Sequence, residues 1–216
     1  MALGRLRRAA LCGVLALAGC ATLSPPVVDT AVLLSSPDLL KKVAVVPFVP
    51  DSAFHVSPPP AGVSAADAAD LVTRFVAEAF AERRIAVVAP NDLIVAFEAE
   101  GKVLPREDVA AVAALAARQF GATAIVLGRV MRYREREGGA RGALRPASVA
   151  FTLTLYEASS GKRAYQARFD ETQVALSENL FLAMKYPGGG SRWLTAAELT
   201  RWGALEAIDA IPDSLR

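Results

Sequence analysis

Short, densely apolar runs alternate along the chain with amphipathic stretches, and the two periods separate cleanly. Lys42 to Phe48 (KVAVVPF) is a β-branched apolar run of the kind that fills a strand buried on both faces, with Pro47 near its end, where a missing N–H costs least. Ser64-Ala65-Ala66-Asp67 has the form of a capping box. Ala68, Leu71, Val72, Phe75, Val76, Ala79 and Phe80 then recur at helical spacing, with Asp67, Asp70, Arg74, Glu78 and Glu82 on the other face. Ile85 to Ala89 predicts a second buried strand. Pro90 and Asn91 open a short helix through Ala99, ended by Gly101, and another helix starts near Pro105, with Glu107 and Asp108 in its first turn, and stops at Gly121.

Ala122 to Val130 predicts a third strand, which continues as an alternation placing Met131 and Tyr133 on one side and Arg132, Arg134 and Arg136 on the other. The Arg and Glu residues of 132–137 read as a solvated sheet face with cross-strand ion pairs. After the turn at Gly138, Gly139 and Gly142, Val149, Phe151, Leu153 and Leu155 alternate with polar positions. Ser159 to Lys162 then turns the chain into Ala164–Thr172, which alternates again through Tyr165, Ala167 and Phe169. The expected fold class is α/β (α+β), a mixed sheet of about five strands in which two parallel strands precede an antiparallel meander, with helices packed on the sheet.

The two ends of the chain have a different character. Arg5, Arg7 and Arg8 precede an apolar run, Ala9 to Ala18, and then Gly19 and Cys20, so residues 1–19 read as a signal peptide too short to span a bilayer comfortably. Residues 20–40 hold Pro25, Pro26 and Pro37 without sustained periodicity and read as a tether free to pack partly along the domain. The α/β domain is expected over 41–175, with 176–216 a C-terminal helical extension packed on it. In that extension Ser177 begins a short helix, Pro187 to Ser191 breaks it, and Thr195-Ala196-Ala197-Glu198 caps a last helix carrying Leu199, Trp202, Leu205 and Ile208. Trp193 stands about where a hydrophobic staple would place it. Two readings of this tail stay open. Both tryptophans pack in the core, or Phe181, Tyr186, Arg192 and Trp193 form a partner-binding patch of aromatic and arginine anchors.

At 216 residues and 53% hydrophobic, the chain has material for one globular domain. Removing the three signal-peptide arginines from 24 basic residues leaves 21 against 22 acidic, so the basic footprint of a nucleic-acid binder is absent. One histidine (His55, in a proline-rich loop) and two cysteines give no metal site, no cofactor site and no Cys/His catalytic pair. Gly188 to Gly190 lacks the lysine of a phosphate-binding loop, and no G-x-S-x-G elbow occurs. Asp170 and Glu171, with Glu178 beyond them, are the acids on which a peptidoglycan-active hydrolase would have to depend, but neighbours in a strand point to opposite faces. The expectation is a chain without catalytic residues.

Leu17-Ala18-Gly19-Cys20 resembles the bacterial lipobox. That resemblance implies diacylglyceryl transfer to the Cys20 sulfur, cleavage before Cys20 and acylation, by palmitate or a similar chain, of the new amine; several acyl chains anchor stably where one is marginal. Ala21 in place of aspartate implies sorting to the outer membrane, facing the periplasm. VAVVPF at 43–48, GATAIVLGRV at 121–130 and the hairpin FTLTLYEASSGKRAYQARFDETQ at 151–173 together resemble the domain shared by the curli-secretion lipoprotein CsgG, the synthase-activator lipoprotein LpoB and the amino-terminal domain of TolB. The resemblance implies a non-catalytic module that binds an envelope protein or associates with itself, the alternative being a homo-oligomeric scaffold related to curli-type secretion. Two features depart from that group. The connections at 137–146 and 158–162 are too short to supply barrel strands, and the 21–40 tether is too short to cross the wall mesh.

Overall fold

The computed structural model describes residues 27–34, 36–52, 54, 63–175 and 185–216. The strands are β1 (Val28–Val32), β2 (Lys42–Val45), β3 (Val49–Pro50), β4 (Ala86–Val88), β5 (Ala124–Arg134), β6 (Glu137–Gly139), β7 (Gly142–Arg145), β8 (Ser148–Glu157) and β9 (Arg163–Thr172). The helices are α1 (Ala65–Glu82), α2 (Pro90–Ala99), α3 (Val109–Phe120) and α4 (Ala196–Asp209). Seven strands form one mixed sheet in the order β1-β9-β8-β5-β2-β4, with β3 beside β5, while β6 and β7 make a separate hairpin. β2 runs parallel to both β4 and β5, and β5, β8, β9 and β1 are antiparallel in turn. The mixed α+β architecture is the one the apolar pattern implies.

β2 shows why its sequence lacks a polar face. Val43 and Val45 pack under α1, while Ala44 and Val46 belong to the second core beneath α2 and α3, and all four are fully buried. α1 starts at the expected box: the Ser64 hydroxyl accepts from Asp67 N, and Ser64 N donates back to the Asp67 carboxylate. On the α1 side lies α4, joined to it by the ion pairs Arg83–Asp209 and Arg201–Glu82. Phe169 sits against Phe151 at 5.3 Å and meets Trp202 edge-on at 5.8 Å. Gly203 permits this approach, since a Cβ there would lie 2.7 Å from the Phe169 ring.

Several expectations are corrected. Val28–Val32, inside the segment read as tether, is an edge strand paired with β9, and Leu39 and Leu40 are buried. The region read as a second buried strand is the opposite edge, where only Val88 of β4 is buried, because among the described residues β4 has a single neighbour. α3 begins at Val109 rather than near Pro105: the Asp108 carboxylate accepts from Ala111 N, so Asp108 is the cap and not a first-turn residue. A bulge between Val130 and Arg132 interrupts the alternation of β5, leaving Met131 half-buried and Tyr133 buried. Trp193 does not take the staple position: Leu194, immediately before the Thr195 cap, is fully buried, as is Leu199, and Trp193 stays half-buried.

Candidate functional site

The C-terminal segment returns over one end of the sheet, where β5 and β9 finish and β8 begins, and residues 185–195 form a strap across it. The strap is held from below by side chains of the sheet. Gln173, almost wholly buried just past β9, donates from Nε2 to Arg192 O (2.8 Å) and accepts at Oε1 from Leu194 N (2.7 Å). One side-chain amide thereby replaces a piece of missing ladder. Arg136 donates to Trp193 O, Trp193 N donates to Ala140 O (2.9 Å), and Glu135 accepts from Ala196 N at the start of α4. An acid beside a helix N-terminus also complements its dipole.

A second clamp lies next to the first. Lys185 pairs with Glu171, and both side chains are largely shielded from water. The Tyr186 hydroxyl donates toward Glu171 Oε2 and Thr172 O, each at 3.2 Å, and accepts from Val174 N. The Tyr186 ring is buried against Trp202, 5.4 Å away in an edge arrangement. Burial, reinforced by the Glu171 charge, raises the Tyr186 pKa well above the ordinary phenol value, so the group stays a neutral donor.

Of the four residues singled out for a partner patch, Arg192 is exposed, Trp193 is half-exposed, Tyr186 is core, and Phe181 lies outside the described residues. Glu178, Cys20 and His55 lie outside them as well. Arg192 and Trp193 flank a groove of about 290 Å³ whose other wall comes from the β6–β7 turn, at Ala140 and Arg141. Arg192 reaches the Glu198 carboxylate at 2.8 Å, and this hydrogen bond holds the Glu198 pKa down to about 2. The same carboxylate accepts from Thr195 N (2.9 Å), closing the expected capping box, so the outward direction of Arg192 is tied to the start of α4. Sequence reasoning missed Gln173, Glu135 and Arg136, whose partners are 19 or more residues away.

The acids considered for hydrolysis are engaged with cations. On the open face of the sheet Asp170 takes hydrogen bonds from Arg132 and Arg168. Burial opposes ionisation, but these bonds win and keep its pKa below the usual carboxylate range. Arg132 reaches Asp170 across Ala150 of β8, the residue paired with each of them. This is the solvated ion-paired face that the 132–137 pattern implies. Among the described residues no group of three His, Cys, Asp or Glu side chains could hold a metal ion. No described helix is long and apolar enough to cross a membrane.

The architecture is that of an α+β domain with a non-helical strap closing one end of the sheet and leading into α4. No protein-family model matches the chain, and no curated protein matches it in sequence. Solved structures similar to it include the PelC dodecamer from Paraburkholderia phytofirmans, at 16% identity over 87% of this chain and 95% of that one, with a TM-score of 0.48. The lipoprotein GNA1162 from Neisseria meningitidis is similar at 16% identity over 61% and 83% of the two chains, with a TM-score of 0.40. The LpoB C-terminal domain from Salmonella enterica is similar at 16% identity over 62% and 84%, with a TM-score of 0.38.

Proposed function

We propose that the chain is a lipid-anchored accessory protein of the bacterial envelope that acts by contact with a protein partner and carries no catalysis of its own. The observation that carries the reading is the construction of the strap: Gln173, Arg136 and Glu135 fix its backbone from beneath while Arg192 and part of Trp193 stay at the surface. Arg and Trp are the side chains that most often anchor interfaces, and a backbone fixed in advance lowers the ordering cost of binding. The lipobox at Leu17–Cys20 and the sequence resemblance to the CsgG, LpoB and TolB group support an outer-membrane, periplasm-facing location. The engagement of Asp170 by two arginines and of Glu171 by Lys185 supports the non-catalytic part.

The test is crosslinking in intact cells of the full-length chain carrying a C-terminal tag, followed by mass spectrometry of the membrane fraction. An envelope protein recovered with wild type and lost with Trp193→Ala, at unchanged melting temperature, is the expected result. Turnover of peptidoglycan by the purified protein that disappears with Glu178→Gln would instead make it a hydrolase.

A second reading, a homo-oligomeric scaffold, is favoured by β1. Among the described residues its only neighbour in the sheet is β9, and Val32 and Leu33 at its end are 51% and 52% exposed, which leaves an apolar edge of the kind that pairs with another strand. Light scattering of the full-length protein in detergent decides between a monomer and a closed assembly.

A further inference from the structure

The connections leaving β2 and β4 run to opposite faces of the sheet. β2 leads to α1 on one face and β4, its parallel neighbour, leads to α2 on the other, so the two connections part at the carboxyl ends of these strands. A groove of about 480 Å³ opens at that place, within the size range of ligand sites. Pro47, Ala77, Pro90 and Ile94 give it an apolar lining. Thr73, also in the wall, is already satisfied, accepting from Phe48 N and donating to Ala69 O.

The charges along the groove divide into spent and unspent. Arg74 pairs with Glu78 at 3.7 Å, whereas Asp70, on α1, and Arg106, on the α2–α3 connection, have no hydrogen-bond or ion-pair partner among the described residues. Arg106 also lines the neighbouring groove over the open sheet face, where Arg129 is paired with Glu107. Among the described residues the crevice therefore presents one free anion, one free cation and apolar surface in the same groove.

We infer that this crevice docks an extended peptide segment of a partner protein in which a basic and an acidic residue flank an apolar one. The apolar side chain lies on Ile94 and Pro90, the basic residue meets Asp70 and the acidic residue meets Arg106. The inference rests on the partner-contact function proposed above and adds a second surface to it, remote in sequence from the strap.

The test is fluorescence anisotropy of three labelled heptapeptides against the full-length protein in detergent. Gly-Lys-Ser-Leu-Ser-Glu-Gly is compared with versions carrying glutamate at both charged positions or lysine at both. Wild type is expected to bind the mixed peptide about tenfold more tightly than either single-sign peptide. Asp70→Lys shifts the preference to the diacidic peptide, and Arg106→Glu shifts it to the dibasic one, a reversal that misfolding does not produce. Absence of saturable binding by all three peptides overturns the inference, and so does an unchanged order of preference in both variants. If the crosslinked envelope partner is lost with Trp193→Ala but recovered undiminished from Arg106→Glu cells, the crevice is overturned while the partner-contact function stands. If no partner is recovered, yet the peptides show the charge reversal, the crevice is supported and the strap reading falls.

Discussion

Replacing Gln173 by Leu tests whether the strap is held from beneath by this one side chain. The substitution keeps the apolar bulk of a residue that is 3% exposed but removes the donor to Arg192 O and the acceptor for Leu194 N. The two losses are unequal. Leu194 is fully buried, so its N–H is left without a partner, a penalty of roughly 1–3 kcal/mol, whereas the carbonyl of exposed Arg192 can turn to water for roughly 0.5–1.5 kcal/mol. The total, roughly 1.5–4.5 kcal/mol, corresponds to a fall in melting temperature of roughly 3–18 °C for a domain of this size. Hydrogen exchange locates the effect: the Leu194 and Trp193 amides should lose protection well before those of β5 and β8. Gln173→Glu is the companion variant, since it keeps an acceptor for Leu194 N but sets a buried carboxylate oxygen against Arg192 O; it should retain more protection at Leu194 than Gln173→Leu even as the buried charge lowers its stability further. Unchanged exchange at Leu194 together with a stability loss below about 0.5 kcal/mol would refute the assignment, because a buried amide losing its partner costs more than that.

Two further perturbations follow from single contacts. Gly128→Ala places a methyl 2.1 Å from Phe48 Cε2, and since Phe48 is fully buried the ring has nowhere to move; the variant should lose roughly 1–3 kcal/mol or more in urea unfolding, and a neutral result would mean that β5 and Phe48 separate readily. Glu198 has its pKa held at about 2 when folded, so its contribution is fully present above its unfolded value of 4.5 and is lost as pH falls from there toward 2. Glu198→Gln should therefore lower stability above pH 4.5, where the ionised group contributes in full, and converge on wild type toward pH 2, which flattens the acid limb of a stability-versus-pH curve; an unchanged limb would sink the assignment.

The central elements were legible because each carries its own period. The run at 43–46 has no polar side because two cores use it, and the Ser64 and Thr195 boxes announce their helices locally. β1 was not legible. Val28-Asp29-Thr30-Ala31-Val32 buries only Val28, and it is a strand because the outer edge of β9 offers unpaired backbone groups, which no local pattern records. The start of α3 was misplaced because Pro105, Glu107 and Asp108 are all good first-turn residues, and only the Asp108 bond to Ala111 N decides among them. At the site, Arg192 and Trp193 drew notice by residue type, but Gln173 did not. A glutamine following a strand is ordinary in sequence and becomes structural only when the strap arrives 19 residues later.

The same topology places the first described residues, Val27 and Val28, and the strap at one end of the sheet. β1 begins at Val28 opposite Phe169 and runs antiparallel to β9, so its first residue lies near the end of β9, where Gln173 receives the strap. Six residues (21–26) separate Cys20 from Val27, the first described residue, and a stretch of that size spans at most roughly 25 Å when fully extended. With lipid on Cys20, as proposed, the strap end of the domain cannot range far from the membrane. The crevice between α1 and α2 lies at the carboxyl ends of β2 and β4. Because β5 is parallel to β2 and antiparallel to β8, and β8 to β9, those carboxyl ends point the same way as the carboxyl end of β9. Arg192, Trp193 and the crevice thus share one end of the domain, so a partner reaching both must itself lie close to the membrane surface, as an integral or membrane-anchored envelope protein does.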